Sequence, residues 1–225
     1  MKSSEESMYW INERITQCKL CPRLSNYIGV IGKSKVKRFI NEQYWARPLP
    51  GFGDIEAKLL IIGLAPAAHG GNRTGRMFTG DSSGDWVTKA LFQTGFANIP
   101  TSHFRNDGLI LKGAYIVAAV RCAPPNNKPT PIEISNCSQY LLAELKILHS
   151  TEVILALGKI AFDAFCKASN LKGLAFDHGA RYCIKGNKIL LASYHPSRQN
   201  TNTHKLTWQM WMDIFKTVRS LISDR

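Results

Sequence analysis

No apolar run in this chain of 225 residues approaches the roughly 20 needed to cross a bilayer as a helix, so a helical membrane protein is excluded. The first ten residues, MKSSEESMYW, lack the apolar core of a signal peptide, and the expected location is the cytoplasm, in association with the nucleoid. Acidic residues are scarce: 16 Asp and Glu face 29 Lys and Arg, a formal net charge of +13. Such an excess favours a polyanionic partner, nucleic acid first, because neutralised phosphates release counterions and attract the protein over long range. The stretch GGNRTG lacks the Gly-Lys-Ser/Thr ending of a P-loop, which weakens a nucleotide-processing reading. Internal repeats, low-complexity tracts and linkers are also missing, so residues 1–225 are expected to form one domain and to act as a monomer. With 44% hydrophobic residues the chain has enough to bury a real core.

The organising stretch is KLLIIGLAPAAHGGNRTGRMFTGD, from Lys58 to Asp81. Leu59 to Ile62 reads as a strand buried on both faces of a parallel sheet. It ends abruptly in a loop where Gly63, Gly70, Gly71, Gly75 and Gly80 permit backbone turns closed to other residues. Between them lie His69, Asn72, Arg73, Arg76 and Asp81, with Phe78 as a flat apolar surface. In open α/β sheets ligands bind in the crevice beyond the carboxyl ends of strands, so function is expected here.

The six cysteines carry a second signal. Without an export signal a disulfide framework is not expected. Cys18 and Cys21 form a C-x-x-C, while Cys122 and Cys137 flank a loop about a hundred residues on. C-x-x-C alone suits a redox pair, zinc or an iron–sulfur cluster; two further cysteines favour four-fold ligation of one centre. Cys166 and Cys183, in apolar surroundings, read as small buried residues.

In chain order, helical spacing predicts a helix over 4–16 that delivers the C-x-x-C, and then an irregular basic loop over 26–53 containing Lys33, Lys35, Lys37 and Arg38. Asp81 and Ser82 can cap a helix running to about Thr94. A strand over 114–120 opens into RCAPPNNKPTP, where Thr130, Pro131 and Glu133 form a capping box for a helix to about Leu148. Strands are expected over 152–157, 181–184 and 188–193, with helices over 159–168 and 203–222. The last strand runs into SYHPSRQNTNT. This alternation predicts a three-layer α/β/α sandwich with a mainly parallel central sheet.

Taken together, GLAPAAHGGNRTGRMFTGD, VRCAPPNNKPTP, SYHPSRQNTNT and the four spaced cysteines resemble the iron–sulfur branch of the uracil-DNA glycosylase superfamily, specifically its type-5 group. The resemblance covers about Cys18 to Thr203. It implies a [4Fe–4S] cluster held by Cys18, Cys21, Cys122 and Cys137, with zinc the alternative from spacing alone. It further implies base removal from damaged DNA, double-stranded and also single-stranded, with water as the nucleophile. Asp81, Asn127 and His195 then belong to the chemistry, and Phe78, Asn72, Gly63, Ala65, Ser197 and Arg198 to substrate binding.

The residue types suit that chemistry. A base must leave the duplex, stack on an aromatic face such as Phe78 and be read at its edge, for which the Asn127 amide offers both a donor and an acceptor. Bond breaking leaves negative charge on the departing base, and His195 can stabilise it as a donor. Ser197 and Arg198 suit phosphate contacts, and Gln199, Asn200 and Asn202 suit the duplex. One departure from the wider superfamily stands out. Leu64-Ala65-Pro66-Ala67-Ala68 carries no polar or acidic group to position water, which leaves Asp81 or Asn72 as the candidate; the type-5 group shares this segment, and the resemblance implies a roomier pocket accepting hypoxanthine and other modified bases as well as uracil. Another small departure is His204-Lys205 where a Gly-Arg pair is common. No lysine is placed for Schiff-base chemistry, so strand cleavage is not expected. The rival reading is a non-catalytic nucleic-acid-binding protein with a structural zinc held by the four cysteines.

Overall fold

A computed structural model describes residues 3–223. Its spine is a six-stranded sheet assembled from β1 (Phe52–Gly53), β2 (Leu59–Gly63), β3 (Ala114–Ala118), β4 (Val153–Leu157), β5 (Arg181–Ile184) and β6 (Lys188–Ser193), in the order β1-β3-β2-β4-β6-β5. The inner strands β3, β2, β4 and β6 are parallel, and the edges β1 and β5 are antiparallel to their neighbours. This is the expected α/β/α sandwich.

Alternation of side chains along each strand divides the core between two faces. Leu59, Ile61, Ile116, Leu155 and Leu191 face α4 (Ser82–Gln93), which follows the one-turn α3 (Gly71–Thr74), and α8 (Trp208–Ser223); α4 and α8 contribute Val87, Leu91, Trp211, Phe215 and Val218. Leu60, Ile62, Val117, Ile154 and Leu190 face the other way. They meet Ile11 and Ile15 of α1 (Ser4–Thr16), Tyr140 and Leu141 of α5 (Pro131–Ile147), and Phe162 and Phe165 of α6 (Lys159–Ala168). Apart from Lys188 and Ser193 at the two ends of β6, the inner strands are therefore apolar, since both of their faces meet a helix layer.

Caps set the helix starts where the sequence expects them. Ser3 accepts from the Glu6 N–H, and Thr130 and Glu133 complete the capping box with Pro131 at the first helical position.

Three expectations are corrected. The segment 26–53 is not irregular from its start, because Pro22–Ser34 is a helix, α2, with Pro22 at its first turn and Leu24 and Ile28, four residues apart, buried beside the cysteines. Nor do residues 203–222 form one helix. Ser197 caps a short α7 (Arg198–Asn202), His204 turns the chain at φ 54°, and Thr207 starts α8 afresh by accepting the Met210 N–H at 3.2 Å. Cys183 is exposed, because it lies on the outward face of the edge strand β5, whereas Cys166 is buried as expected.

From β2 the chain passes through α4 to β3 on one side, and then crosses back through α5 to β4 on the other. The strand order therefore reverses beside β2, which opens a crevice between the carboxyl ends of β2 and β4. Among the described residues no helix is long and apolar enough to cross a membrane.

Candidate active site

The carboxyl ends of β2, β3, β4 and β6 open into one cavity of about 1890 Å³. A small-molecule pocket is typically about 300–1,000 Å³, so this volume holds a pocket with a groove continuous with it. Its walls come from Leu64 to Gly70 after β2, Asn126 and Asn127 after β3, Gly158 to Ala161 after β4, and Tyr194, His195 and Ser197 to Asn200 after β6.

Phe78 forms part of the wall. Its backbone takes a φ of 51°, uncommon for a bulky residue and a conformation that other contacts must hold. Gly84 allows the first turn of α4 to sit against the Phe78 carbonyl, which any Cβ there would strike. Gly63 makes room for the ring itself, since a Cβ on Gly63 would lie 2.9 Å from Phe78 Cζ. Phe78 is consequently 6% exposed and belongs to the core while presenting its remaining surface to the cavity.

His195 lies beside it, with ring centroids 5.9 Å apart. Its backbone carbonyl accepts from the Asn200 Nδ2 and from the Ser197 N–H, each at 2.8 Å, so the turn after β6 is fixed. Burial pulls the imidazole pKa down to about 4, which keeps the ring neutral at neutral pH. A neutral ring carries one N–H and one acceptor nitrogen, and can therefore donate to an anion without first being charged.

Asp81 also lines the cavity. One oxygen, Oδ1, caps α4 by accepting the Gly84 N–H at 2.9 Å, and burial raises the carboxyl pKa despite that bond. Across the cavity Asn127 is exposed, at a φ of 56° on a one-turn 3₁₀ segment that follows Pro124. Ala65, Ser197 and Arg198 line the cavity as well; Arg198 is exposed, and its Nε donates to Ser82 Oγ at 3.1 Å.

The structure does not bring Asn72 or Gly63 to the cavity surface. Asn72 is 0% exposed, and its Nδ2 donates to the Ile28 carbonyl at 3.5 Å, joining the organising loop to α2. Gly63 lies beneath the Phe78 ring.

Arg38, from the basic cluster noted in the sequence, reaches the cavity from the segment after α2 together with Phe39 and Glu42, which sequence reasoning missed. Arg73 pairs with Glu42 and stacks its guanidinium 3.9 Å from the Phe39 ring centroid, which holds that segment over the loop. Tyr44 OH and His69 Nδ1 are hydrogen-bonded at 3.1 Å. The aromatic residues among the lysines of that segment were the available signal.

The four spaced cysteines lie on one side of the same loops. Cys122 and Cys137 are buried with Leu24, Ile28 and Val120, and Cys21 packs against that cluster. Burial pushes the Cys122 thiol up, and the nearby sulfurs of Cys137, Cys18 and Cys21 push it further. The Cys137 thiol is pushed up to about 11, first by burial, although the Arg121 N–H opposes this. Asn136 Nδ2 donates to Cys21 Sγ at 3.4 Å, and a bidentate Arg23–Glu133 pair, at 2.8 and 2.7 Å, ties α2 to the start of α5. Among the described residues no three His, Cys, Asp or Glu side chains are gathered as a ready-made site for a metal ion. As a donor set, four free thiols whose ionised forms repel one another suit a cationic centre.

Residues 50–217 match the family model described as the uracil DNA glycosylase superfamily. The chain is similar to the type-5 uracil-DNA glycosylase of Thermus thermophilus, at 47% identity over 212 residues that cover 93% of this chain and 95% of the relative. It is similar to that of Pyrobaculum aerophilum at 43% identity, covering 90% and 88%. A type-4 uracil-DNA glycosylase of Thermotoga maritima is 28% identical, covering 88% and 85%.

Proposed function

Because the chain belongs to the uracil-DNA glycosylase superfamily, we propose that it hydrolyses the N-glycosidic bond of uracil in DNA, with water as nucleophile, and leaves an abasic site. The observation that carries this reading is the pairing of neutral, half-buried His195 with the Phe78 ring in the cavity at the strand ends.

The extruded base stacks on the exposed surface of Phe78, and the Asn127 amide reads its edge. As the bond lengthens, charge grows on a base oxygen. The His195 N–H stabilises it as a preorganised donor, worth about 3–4 kcal/mol of barrier. The base departs as an anion, so His195 does not have to surrender its proton. Positive charge on the sugar is offset by the Asp81 carboxylate, which also orients the water that adds to it. The apolar Leu64 to Ala68 wall imposes no second polar requirement on the base, which supports acceptance of hypoxanthine and other deaminated bases alongside uracil. Of the lysines on the cavity wall, Lys159 is paired with Asp163 at 2.6 Å and Lys205 lies over the Tyr194 ring, so neither is set up for imine formation and the reaction ends at the abasic site.

We assign Cys18, Cys21, Cys122 and Cys137 as ligands of a [4Fe–4S] cluster. When bound, it supplies iron–thiolate bonds that cross-link the N-terminal helices to the loop bearing Asn127. The Arg23–Glu133 pair and the Asn136 contact hold the ligand segments in place around it.

The test is single-turnover base release from duplexes carrying uracil, hypoxanthine or an undamaged base. Free uracil with an intact strand is the expected result. Tight binding with no base release sinks the enzymatic reading.

A further inference from the structure

Segment 98–111 contributes no residue to the site expected from sequence, yet Phe104 lies on the cavity wall while 56% exposed, which places it on the rim. A single exposed apolar side chain ordinarily means nothing. Here the backbone beneath it is fastened residue by residue. Asp107 accepts from the N–H groups of His103 at 2.8 Å, Phe104 at 3.3 Å and Leu109 at 3.1 Å. Its two oxygens each receive Arg76 Nη2 at 2.7 Å, with both side chains buried.

Arg76 extends the clamp. It donates to the Arg105 carbonyl at 2.9 Å and to Ser102 Oγ at 2.9 Å, while the Ser102 carbonyl accepts the Gly80 N–H at 2.8 Å. The rim is thus bolted to the same Gly-rich loop that presents Phe78 and Asp81. Arg105, next to Phe104 in the chain, lies 4.5 Å from the Trp45 ring centroid, a further tie between the rim and the segment before β1.

A rigid loop that leaves one aromatic ring in water at the mouth of a cavity is arranged to put that ring into something. We propose that Phe104 is a wedge that enters the base stack of duplex DNA where the nucleotide leaves it. Apolar side chains inserted between base steps hold a duplex open, and extrusion creates the gap that such a ring fills. This rests on the glycosylase reading and adds to it a residue that acts on the duplex and leaves the chemistry to others.

The experiment uses single-turnover uracil release by the whole protein and by Phe104→Ala and Phe104→Leu. Substrates are a uracil-containing duplex with 2-aminopurine beside the lesion and the same strand alone. Phe104→Ala should be slower on the duplex by roughly tenfold or more and within about twofold of the parent on the single strand, which needs no unstacking. The 2-aminopurine fluorescence gained on binding should fall in Phe104→Ala and persist in Phe104→Leu, with melting temperatures unchanged. Equal loss on both substrates, or none on the duplex, overturns the wedge and leaves the glycosylase reading intact. Absence of release by the parent protein from both overturns the two together.

Discussion

Gly70 owes its missing side chain to Asp81: a Cβ at Gly70 would collide with the Asp81 carboxylate at Oδ2, while Oδ1 is held by the first turn of α4. The carboxylate therefore has one oxygen for the helix and the other pressed against the loop that follows β2. That division separates a structural role from a chemical one.

Asp81→Asn keeps a good helix cap and removes the charge, so melting should change by less than about 0.5 kcal/mol while the single-turnover rate falls. Asp81→Ala should lose the rate and also about 1 kcal/mol of stability. Gly70→Ala should slow release by displacing the carboxylate, and that effect should shrink in an Asp81→Ala background. Additive losses in the double variant would show that Gly70 acts independently of Asp81.

Replacing His195 tests the donor directly. His195→Ala should cut single-turnover release roughly a hundred-fold or more while duplex binding persists, the scale of losing one preorganised donor to a developing anion. Near-parental rates would reduce His195 to a structural element of the turn after β6.

His195 also predicts a pH dependence of stability. Its folded pKa of about 4 lies below the ordinary histidine value near 6.5, so the unfolded chain binds more protons between those limits. Stability from this group is therefore full above pH 6.5 and is lost as pH falls towards 4, by up to about 3 kcal/mol. His195→Gln should flatten the fall in melting temperature across that window. An unchanged slope would mean that the imidazole is not held neutral.

The cysteine assignment predicts brown protein containing iron and sulfide when purified without oxygen. Cys122→Ala should lose the colour and loosen the Asn127 loop, detectable as faster amide exchange there, because that ligand joins the loop to the N-terminal helices. Colourless, active protein with one zinc would replace the cluster by a zinc ion on the same four thiolates.

Arg198 is exposed on the wall of the groove. Arg198→Ala should reduce the log–log salt slope of duplex binding by about one while leaving the preference among bases unchanged, since phosphate contacts position and do not specify. A change in base preference would put the guanidinium near the base.

Much of this protein is set by local chemistry and was readable in the chain. The β2 run, the Asn127 loop between prolines, the Thr130 capping box and the turn at His195 are each dictated by residues within a few positions of one another. For that reason the sheet, most helices and the loops that carry the candidate chemistry could be placed before any coordinates. The net charge and the cysteine spacing likewise named the class of partner and the candidate ligands.

What tertiary structure alone decided are relationships between segments far apart in sequence. Asn72 and Arg73 are adjacent, yet burial against α2 turns the first inward while pairing with Glu42 holds the second at the cavity. Phe78 was legible as an aromatic in a loop, but its contact with His195 depends on Gly63 leaving room beneath the ring. The rim residue Phe104 carried no local signal, since its position depends on Arg76 and Asp107, 31 residues apart, meeting in the interior. Sequence determines such a contact only through the whole fold, because a buried ion pair persists only where the surrounding packing closes over both partners at once.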